Sequence, residues 1–451
     1  MTEHSVGPKT APDPFDYIRE WDRLREIKGW WHSFELPDGT RIEGVSSLDI
    51  QKQRIEAFDV PQILRGKRVL DIGTWDGWFA FEMERRGADV VAIDCWDNPR
   101  FREMHSMLSS RVEYRHFDMY ELTPERIGKF DIVLFMGVLY HLKHPLLALE
   151  RVCALTTDFA AVESFILRGE HRPGVAVAEC TFMEFYETDE LGGQTDNWCG
   201  PTLPCLLALC RTAGFARVQL QRVFEFSACV ACHRSWLPPE AEAEPGPLLL
   251  AAHHNMNYGI NFESRFDEYV TCSFQSPVKE INRHNLKPEV GGFGVNPIKV
   301  ESAGPDSWRA HFKLPPGLCT GWHNVRLRVG SSRPSNEKRI ALDLRPEFGP
   351  IVITGVADGH TWKPNELDLD TGDVIVLWIE GLPENSDLNN VRVFLESTAL
   401  STVYVGNSGV DKTTQVNAQV RKPLAVGPRH IHVEVLGTFS APVAIKLLAR
   451  S

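Results

Sequence analysis

The stretch LDIGTWDGWF, residues 70–79, decides the fold of this chain. It follows the lead-in RGKRV and predicts a buried strand that runs into a tight glycine turn. Gly73 and Gly77 permit backbone conformations and close approaches that other residues resist, and the helix expected next presents free N–H groups. Trp75 and Trp78 occupy positions where nucleotide-binding loops usually keep small residues. Taken alone, the stretch therefore fits either a cofactor loop or a packed strand-to-helix corner.

Strand and helix patterns alternate from this stretch to about residue 236. The strand-like runs are RVLDIG, DVVAID, VEYRHF, FDIVLFMG and FAAVESFIL. The helical stretches between them include WFAFEMERRG, HPLLALERVCAL and PTLPCLLALCRTAGF. This alternation predicts an α/β fold, with a parallel sheet covered by helices on both faces.

The regions before and after this alternation have different secondary-structure patterns. Before it, FDYIREWDRLREI and DIQKQRIEAFDVPQIL predict helices, with a PDG turn between them. After it, WLPPEAEAEPGP is typical of a linker, and short strand-like runs beyond residue 280 predict antiparallel β-sandwiches. The predicted organisation is a disordered tail (1–14), an N-terminal helical lid (15–60), the α/β domain (61–240), a linker or extension (241–282) and two all-β sandwiches (283–347 and 348–451).

The composition is that of an ordinary globular protein, with 451 residues, 43% of them hydrophobic, and a net charge of −12. No long Lys/Arg run is present, so the charge balance does not favour a nucleic-acid partner such as tRNA. The polar start MTEHSVGPKTAPDP has no apolar signal core, and no run of about 18 apolar residues exists, so we expect no membrane partner. Ten cysteines without an export signal are expected to be reduced thiols in a cytoplasmic protein. The sequence carries no indication of oligomeric state.

Acidic residues follow successive strands of the predicted sheet. Asp71 ends the first strand, Asp94 ends the second in VVAID, and Asp118 with Met119 follows the third in HFDMYEL. The fourth strand ends in FMGVLYH, residues 135–141. Because open α/β sheets bind ligands at the carboxyl ends of their strands, this ordered set predicts a nucleotide-like ligand. A carboxylate at the position of Asp94 can accept both ribose hydroxyls; the alternative is that it only caps the next helix.

With these residues, the segment from about 50 to 236 resembles the class I S-adenosylmethionine-dependent methyltransferases, which have a Rossmann-like fold. FMGVLYHLKHPLLAL and CGPTLPCLLALCRTAGF also resemble the branch that contains the tRNA wobble-uridine carboxymethyl- and methyltransferases. The resemblance implies S-adenosylmethionine as cofactor, with carboxy-S-adenosylmethionine as the alternative. The implied contacts are Asp71, Gly73 and Gly77 with the methionine part, Asp94 with the ribose, Asp118 and Met119 with the adenine, and Met136, Gly137 and Tyr140 with the sulfonium region. Thr74 and Trp75 of the glycine loop are further candidate cofactor contacts. For Trp75, simple packing is the alternative to covering the cofactor.

Tyr140 and His141 are the polar pair expected beside the transferred methyl group. Methyl transfer mainly requires an aligned acceptor and a dry site, and a hydroxyl acceptor also benefits from a base that titrates near neutrality. His141 is therefore a candidate base; the alternative is a histidine that only hydrogen-bonds the loop. In the wobble-uridine enzymes, the tyrosine matching Tyr140 helps to hold the cofactor carboxylate with a lysine and an arginine. Lys28 and Arg234 match these two loosely, and surface salt bridges are their alternative role.

Trp30, Trp31 and His32 precede the PDG turn. One interpretation is a lid over the acceptor, with His32 in the acceptor site. The other is an apolar anchor for the N-terminal segment.

The motif CVACH at 229–233 fits covalent haem attachment, which needs export and oxidising maturation. Its strand-like alternation sends Cys229 and Cys232 to opposite faces, and zinc would need two further ligands. We therefore expect no metal site.

The stretch SWRAHFKLPPGLCTGWHNVRLRVGSS resembles an immunoglobulin-like IPT/TIG module, which implies a binding or spacing role. The function predicted for the whole chain is S-adenosylmethionine-dependent methylation of a hydroxyl on a small-molecule or glycan acceptor. The alternative with the same fold is a tRNA wobble-uridine methyltransferase or carboxymethyltransferase. The alternative from another class is a binding protein with a catalytically inactive methyltransferase fold.

Overall fold

The computed structural model describes residues 29–168, 177–345, 349–407, 413–421 and 424–449 of the chain. They fall into two compact units. The first unit extends to Pro238 and includes the short segments Gly292–Asn296 and Pro315–Gly317, and the second unit comprises Pro239–Gly291, Pro297–Leu314 and the chain from Leu318. The predicted tail (1–14), the first part of the predicted lid and Lys28 lie outside the described residues.

Short strands and one helix form the described N-terminal segment of the first unit. They are β1 (Trp30–His32), β2 (Phe34–Glu35), β3 (Arg41–Ile42), β4 (Gly44–Ser46) and α1 (Leu48–Glu56). β1 pairs with β4 in parallel, and the PDG turn joins β2 to the antiparallel β3. The predicted PDG turn and the helix that follows it are therefore present, whereas residues 30–46 form short paired strands that the predicted helical lid did not include.

A mixed sheet forms the centre of the first unit. Its strands are β5 (Arg68–Ile72), β6 (Asp89–Asp94), β7 (Glu113–His116), β8 (Phe130–Met136), β9 (Thr156–Phe165), β12 (Arg217–Val223) and β13 (Ser227–His233). A separate hairpin consists of β10 (Met183–Phe185) and β11 (Cys199–Pro201). Within the described residues the sheet order is β12-β13-β9-β8-β5-β6-β7. β5 to β9 pair in parallel, whereas β13 is antiparallel to β9 and to β12.

Helices cover both faces of this sheet. They are α2 (Trp78–Arg85), α3 (Pro99–Met107), α4 (Pro124–Ile127), α5 (Pro145–Leu155) and α6 (Leu203–Thr212). Neighbouring strand residues alternate between two apolar cores, so that Val133 packs with residues of α5 and α6 while Leu134 packs with residues of α2 and α3. Because both faces are buried, the strands are almost continuously apolar. The predicted α/β, Rossmann-like fold class is confirmed for this unit.

The strand directions define two edges of the sheet, at which different residues lie. Parallel pairing brings the carboxyl ends of β5, β6, β8 and β9 to one edge, which we call the carboxyl edge. Here Ile72 pairs with Ile93, and Met136 pairs with Glu163. Because β13 is antiparallel to β9, its last residue, His233, lies at the opposite edge.

The second unit consists of β-strands throughout its described residues. The strands from here to the end of the chain are β14 (Leu248–His254), β15 (Asn261–Phe262), β16 (Tyr269–Gln275), β17 (Leu286–Val290), β18 (Phe293–Gly294, in the first unit), β19 (Lys299–Gly304), β20 (Ser307–Lys313), β21 (Gly321–Val329), β22 (Lys338–Leu342), β23 (Val352–Asp358), β24 (Glu366–Asp368), β25 (Val374–Glu380), β26 (Val391–Leu395), β27 (Thr398–Ala399), β28 (Ser401–Asn407), β29 (Thr414–Gln419), β30 (Gly427–Val435), β31 (Thr438–Phe439) and β32 (Val443–Leu448). The β-rich C-terminal region is thereby confirmed.

Four sheets organise these strands. The first pair of sheets has the orders β14-β16-β20-β19 and β15-β22-β21-β17, and the second pair has the orders β23-β25-β29-β28 and β24-β32-β30-β26-β27. The second pair encloses one apolar core, to which the two sheets contribute residues such as Ile375 and Val391. The segment 241–282, predicted as a linker or extension, is not a linker, since β14, β15 and β16 lie within it and pair with later strands. Their alternating apolar residues are buried by that pairing.

The helices within the described ranges include none that is both long enough and apolar enough to cross a membrane.

Candidate active site

The glycine loop after β5 is tied to β6 by its backbone. The N–H groups of Gly73 and Thr74 both donate to the carbonyl of Ile93, at 2.9 and 3.1 Å. Gly73 and Gly77 have φ angles of 71° and 96°, values at which a Cβ is disfavoured. At Gly77 a Cβ would also lie 2.7 Å from the ring of Phe101, so this glycine is required by packing as well.

Asp71 lies under this loop with its side chain buried. It accepts a 2.7 Å hydrogen bond from the Thr74 hydroxyl. Burial raises the pKa of the Asp71 carboxyl to about 6, while the Thr74 bond and the charge of His32 act in the opposite direction. A buried carboxyl that titrates near neutrality is a common feature of functional sites.

Asp94, at the end of β6, connects the loop to the next strand. Its two carboxylate oxygens accept the backbone N–H groups of Trp75 and Trp96, each at 3.0 Å. Burial raises the pKa of Asp94, and the two N–H donors oppose this effect. The N-cap of α3 is Asn98, whose side chain accepts from the N–H of Arg100, so the helix-cap alternative for Asp94 does not hold.

The two tryptophans of the loop have different environments. Trp75 has a φ of 51° and is 41% exposed, with its ring centroid 5.2 Å from that of Trp96. Trp78 is buried at the start of α2 and contacts Phe79 edge-on. Trp75 thus keeps an exposed face on the loop, whereas Trp78 belongs to the core.

Asp118 and Met119 follow β7 but point in different directions. Asp118 is exposed and accepts the N–H of Tyr120 at 2.8 Å, which starts a short 3-10 turn. Met119 is buried in the core with Leu122 and Ile127. The carboxylate of Asp118 is therefore available to a ligand, while the Met119 side chain is mostly occupied by core packing.

The turn after β8 places Met136, Gly137, Tyr140 and His141 at the carboxyl edge. The Gly137 N–H donates to the carbonyl of Glu163 at 2.9 Å. A Cβ at Gly137 would lie 3.8 Å from the Tyr140 hydroxyl and 3.9 Å from Glu163 Oε2, so both oxygens face this glycine. The structure therefore brings these residues together with the strand ends of β5 and β6, as the sequence predicts.

His141 lies at the outside of this turn. Its Nδ1 is 3.3 Å from the carbonyl oxygen of Asp196 and 3.7 Å from the Asp196 carboxylate. The side chains of His141 and Asp196 are 31% and 64% exposed. This geometry fits a histidine that only hydrogen-bonds the loop as well as it fits a general base.

Asp76 is a site residue that the sequence interpretation missed. Its side chain is fully buried in the glycine loop and accepts the backbone N–H groups of Trp31 and His32 at 2.7 and 2.9 Å. Its other oxygen is hydrogen-bonded to Nδ1 of His32, which is also buried. The signal was an aspartate between two glycines of the quoted stretch, where small residues are usual. His32 is thereby joined to the loop, and the interpretation of its segment as only an apolar anchor is incomplete.

Gln51 and Glu163 were also missed. The side chain of Gln51, on α1, is fully buried and bonds both the N–H and the carbonyl of Ser33, at 3.0 and 3.2 Å. Glu163 is buried near the end of β9, with Oε1 3.6 Å from the guanidinium of Arg54. The signal for Glu163 was a lone acidic residue in the apolar strand FAAVESF.

Arg234 does not lie at the candidate site, and its predicted substrate-binding role is wrong. It follows β13 at the edge opposite the carboxyl edge, where its N–H donates to the carbonyl of Asp158. Its guanidinium is buried, donates to the carbonyl of Pro316 at 2.7 Å and lies 4.0 Å from the ring centroid of Phe293. The antiparallel direction of β13 causes this placement, because it reverses the edge at which the strand ends.

Cysteine and histidine side chains do not gather into a metal centre in the part of the chain that the structure describes. All ten cysteines are free thiols. Cys229 and Cys232 belong to the two different cores on either face of the sheet, as the alternation in CVACH predicts.

A family model matches the segment of the chain that carries the described site. Residues 49–164 match the model of the methyltransferase-domain family, and this segment includes the glycine loop, Asp94, Asp118 and the turn after β8. The first unit therefore contains a methyltransferase domain. The match covers less than half of the chain, and it does not extend to the second unit.

Curated relatives match a part of this chain. The chain is 39% identical to the ubiquinone biosynthesis O-methyltransferase of Acinetobacter baylyi over 85 residues, which are 18% of this chain and 36% of that protein. It is 36% identical to the protein of the same name from Psychrobacter cryohalolentis over 107 residues, which are 21% of this chain and 42% of the relative. The chain thus spans well under two thirds of the curated relatives it matches.

Solved structures are also similar to part of this chain. The N-terminal domain of EvdMO1, crystallised with SAH and D-fucose, is 21% identical and aligns over 48% of this chain and 96% of its own, with a TM-score of 0.35. The 1,6-didemethyltoxoflavin-N1-methyltransferase of Burkholderia thailandensis is 18% identical and aligns over 51% of this chain and 97% of its own, with a TM-score of 0.31. At these TM-scores the likenesses carry no argument about function.

Proposed function

We propose that the chain is an S-adenosylmethionine-dependent O-methyltransferase that acts on a hydroxyl of a small-molecule or glycan acceptor. The observation that carries this proposal is the methyltransferase-domain match over residues 49–164, which spans the glycine loop and the carboxyl edge. The relatives named as O-methyltransferases support a hydroxyl acceptor, since this chain is 36–39% identical to them over 85 and 107 residues. When bound, the cofactor supplies an electrophilic methyl group on a sulfonium.

The residues at the carboxyl edge fit this cofactor. Each Asp94 oxygen accepts one backbone N–H and retains a lone pair that a ribose hydroxyl can donate to. Asp71 and Asp94 also supply negative charge near a cationic ligand. The exposed carboxylate of Asp118 is free to accept from an adenine amino group, and the exposed face of Trp75 can cover the ligand.

The surface beside Tyr140 favours a small acceptor with an apolar face. The backbone N–H of Trp198 donates to the carbonyl of Tyr140, and Phe185 lies near the Trp198 ring with 67% of its surface exposed. Phe182 and Met183, each 40% exposed, extend this apolar surface. Clustered exposed apolar side chains are typical of binding surfaces.

The same surface disfavours tRNA, the second candidate acceptor. The segment 182–201, FMEFYETDELGGQTDNWCGP, contains no Lys or Arg and has five acidic residues. Acidic side chains beside His141 would repel a phosphate backbone, which basic residues normally neutralise. Because Arg234 lies at the opposite edge, one of the two residues proposed to hold a cofactor carboxylate is also absent from the site. Both observations favour plain S-adenosylmethionine over carboxy-S-adenosylmethionine.

Isothermal titration calorimetry with S-adenosylmethionine tests the cofactor part of the proposal. We expect the wild-type chain to bind and Asp94→Ala to bind about 10- to 100-fold more weakly, because it removes a buried acceptor of charged hydrogen bonds. Asp97→Ala is the matched control, since Asp97 lies in the same loop, is exposed and pairs with Arg102. Absence of binding by the wild type would refute the proposed function.

The acceptor class is tested by incubation with labelled S-adenosylmethionine and separate pools of phenolic compounds, monosaccharides and bulk tRNA. We expect methyl ethers of a phenol or a sugar, detected by mass spectrometry. Labelling of tRNA alone, with binding that weakens steeply as salt rises, would support the second candidate instead.

A further inference from the structure

The backbone around His32 is held by side chains of the methyltransferase domain. Asp76 accepts two consecutive backbone N–H groups, those of Trp31 and His32. Gln51 bonds both backbone groups of Ser33, the next residue. Since both side chains are fully buried, the position of His32 is set by hydrogen bonds that water cannot replace.

Asp76 also sets the state of the His32 ring. One Asp76 oxygen is bonded to Nδ1 of His32, and a carboxylate at that position can only accept. A neutral His32 therefore carries its proton on Nδ1 and has a lone pair on Nε2. The ring is also in edge-on contact with Phe79, with centroids 5.4 Å apart, so its plane is fixed by packing as well.

This ring lies close to the part of the loop expected to hold the cofactor. Asp76 is flanked by Trp75 and Gly77, and β1 therefore docks directly on the glycine loop. Asp71 lies one residue before the end of β5, beneath that loop, and His32 is among the groups that lower the pKa of its carboxyl. The imidazole is thus on the loop side of the carboxyl edge.

We propose that Nε2 of His32 is the general base for the acceptor hydroxyl. Asp76 orients the imidazole and balances its charge, and Gln51 is a positioning residue. The inference rests on the proposed function and deepens it. It assigns to His32 the base role that the sequence interpretation gave to His141. An acceptor with an ionisable hydroxyl, such as a phenol or a sugar, is the class that needs such a base.

The methyl group moves from the sulfonium of the cofactor to the acceptor oxygen. The acceptor oxygen forms a bond to the methyl carbon as its proton passes to Nε2 of His32. The bond between that carbon and sulfur breaks, its electron pair stays on sulfur, and S-adenosylhomocysteine is released. The imidazolium is stabilised by the Asp76 carboxylate and later gives its proton to water.

Nitrogen-15 NMR of the full chain labelled at histidine tests the proposal without a known acceptor. Long-range proton–nitrogen correlations report which ring nitrogen carries the proton, and the His32→Gln variant identifies the His32 signals. We expect a protonated Nδ1 and an unprotonated Nε2 at neutral pH. We also expect the Nε2 signal to move when S-adenosylmethionine is added, and to move less with S-adenosylhomocysteine, which lacks the sulfonium charge. The signals of His432, in the second unit, are the internal control.

The outcomes separate this inference from the proposed function. If calorimetry detects binding of S-adenosylmethionine but the His32 signals do not change, the base role is wrong and the methyltransferase proposal stands. A proton on Nε2 in the wild type also overturns the base role. Asp76→Asn should abolish the preference for the Nδ1 proton; if that variant does not fold, the wild-type spectra alone decide. Failure to bind S-adenosylmethionine overturns both proposals.

Discussion

Two histidine–aspartate pairs belong to the candidate site, and they differ in almost every physical respect. The side chains of His32 and Asp76 are 7% and 0% exposed, and Asp76 has two further backbone donors. The side chains of His141 and Asp196 are 31% and 64% exposed, with 3.7 Å between Nδ1 and the carboxylate. The residue types are identical, so the difference comes from burial and from the backbone groups that each aspartate serves.

The two pairs are expected to contribute differently to the free energy of unfolding. An exposed pair is solvated and screened, and such pairs contribute about 0–1 kcal/mol. A buried aspartate that loses its position leaves donors without water or partner, which has a much larger effect. The buried pair is therefore expected to determine both the stability of the N-terminal segment and the geometry of the base.

The largest expected effect is on stability, at the two aspartates. Asp76→Ala should lower the free energy of unfolding by about 3–5 kcal/mol, because it leaves two backbone N–H groups and an imidazole without their acceptor. Asp196→Ala should change it by less than about 0.5 kcal/mol. Urea denaturation followed by tryptophan fluorescence measures both. Equal losses in the two variants would contradict the distinction between the pairs.

The next effect is a pH dependence at Asp71, which senses the buried pair. Burial raises the pKa of Asp71 from 3.8 to about 6 in the folded state, so the folded state retains the proton to higher pH. The stabilisation is complete below about pH 4 and is lost as pH rises through 6, which corresponds to roughly 3 kcal/mol. In Asp71→Asn this slope of stability against pH should disappear.

The same pH profile separates the two histidines. The charge of His32 lowers the pKa of Asp71, so His32→Ala should move the loss of stability to higher pH. His141→Ala should leave the profile where it is in the wild type. Urea midpoints measured between pH 4 and 8 give both profiles, and a shift in the His141 variant alone would reverse the assignment.

A smaller effect is expected where a carboxylate of the site is exposed. Asp118→Asn should weaken S-adenosylmethionine binding by about two- to fivefold, because interactions of exposed charges are screened by water. Asp94→Ala, in a buried position, should have the larger effect given above. Calorimetry on the two variants under the same conditions makes the comparison, and an equal loss would mean that Asp118 is buried by the ligand.

The smallest effect on binding is expected at Arg234. Because this residue lies at the edge opposite the carboxyl edge, Arg234→Met should change the affinity for S-adenosylmethionine by less than about twofold. The same calorimetric titration checks it. A large loss of affinity in a variant that remains folded would require coupling across the whole sheet.

The predictable part of the molecule is the part governed by local pattern. The apolar strands RVLDIG, DVVAID and FDIVLFMG, with acidic residues at their ends, predict both the sheet and the edge at which Asp71, Asp94 and Tyr140 meet. This works because parallel strands joined by helices all end at the same edge. The linker prediction for 241–282 failed because its strands form through pairing that local composition does not reveal: β14 pairs with β16, β16 with the distant β20, and β15 with the distant β22.

The sequence by itself determined the Rossmann-like sheet, the glycine loop and the carboxylates at its edge, because hydrophobic alternation and glycine placement are local properties. Only the tertiary structure decided which polar side chains join them. It places Arg234 at the far edge through one antiparallel strand, and it brings His32 to Asp76 across 44 positions of sequence. Burial then decides the chemistry, since the same histidine–aspartate pairing has a fixed ring state in a dry site and a solvated one at the surface.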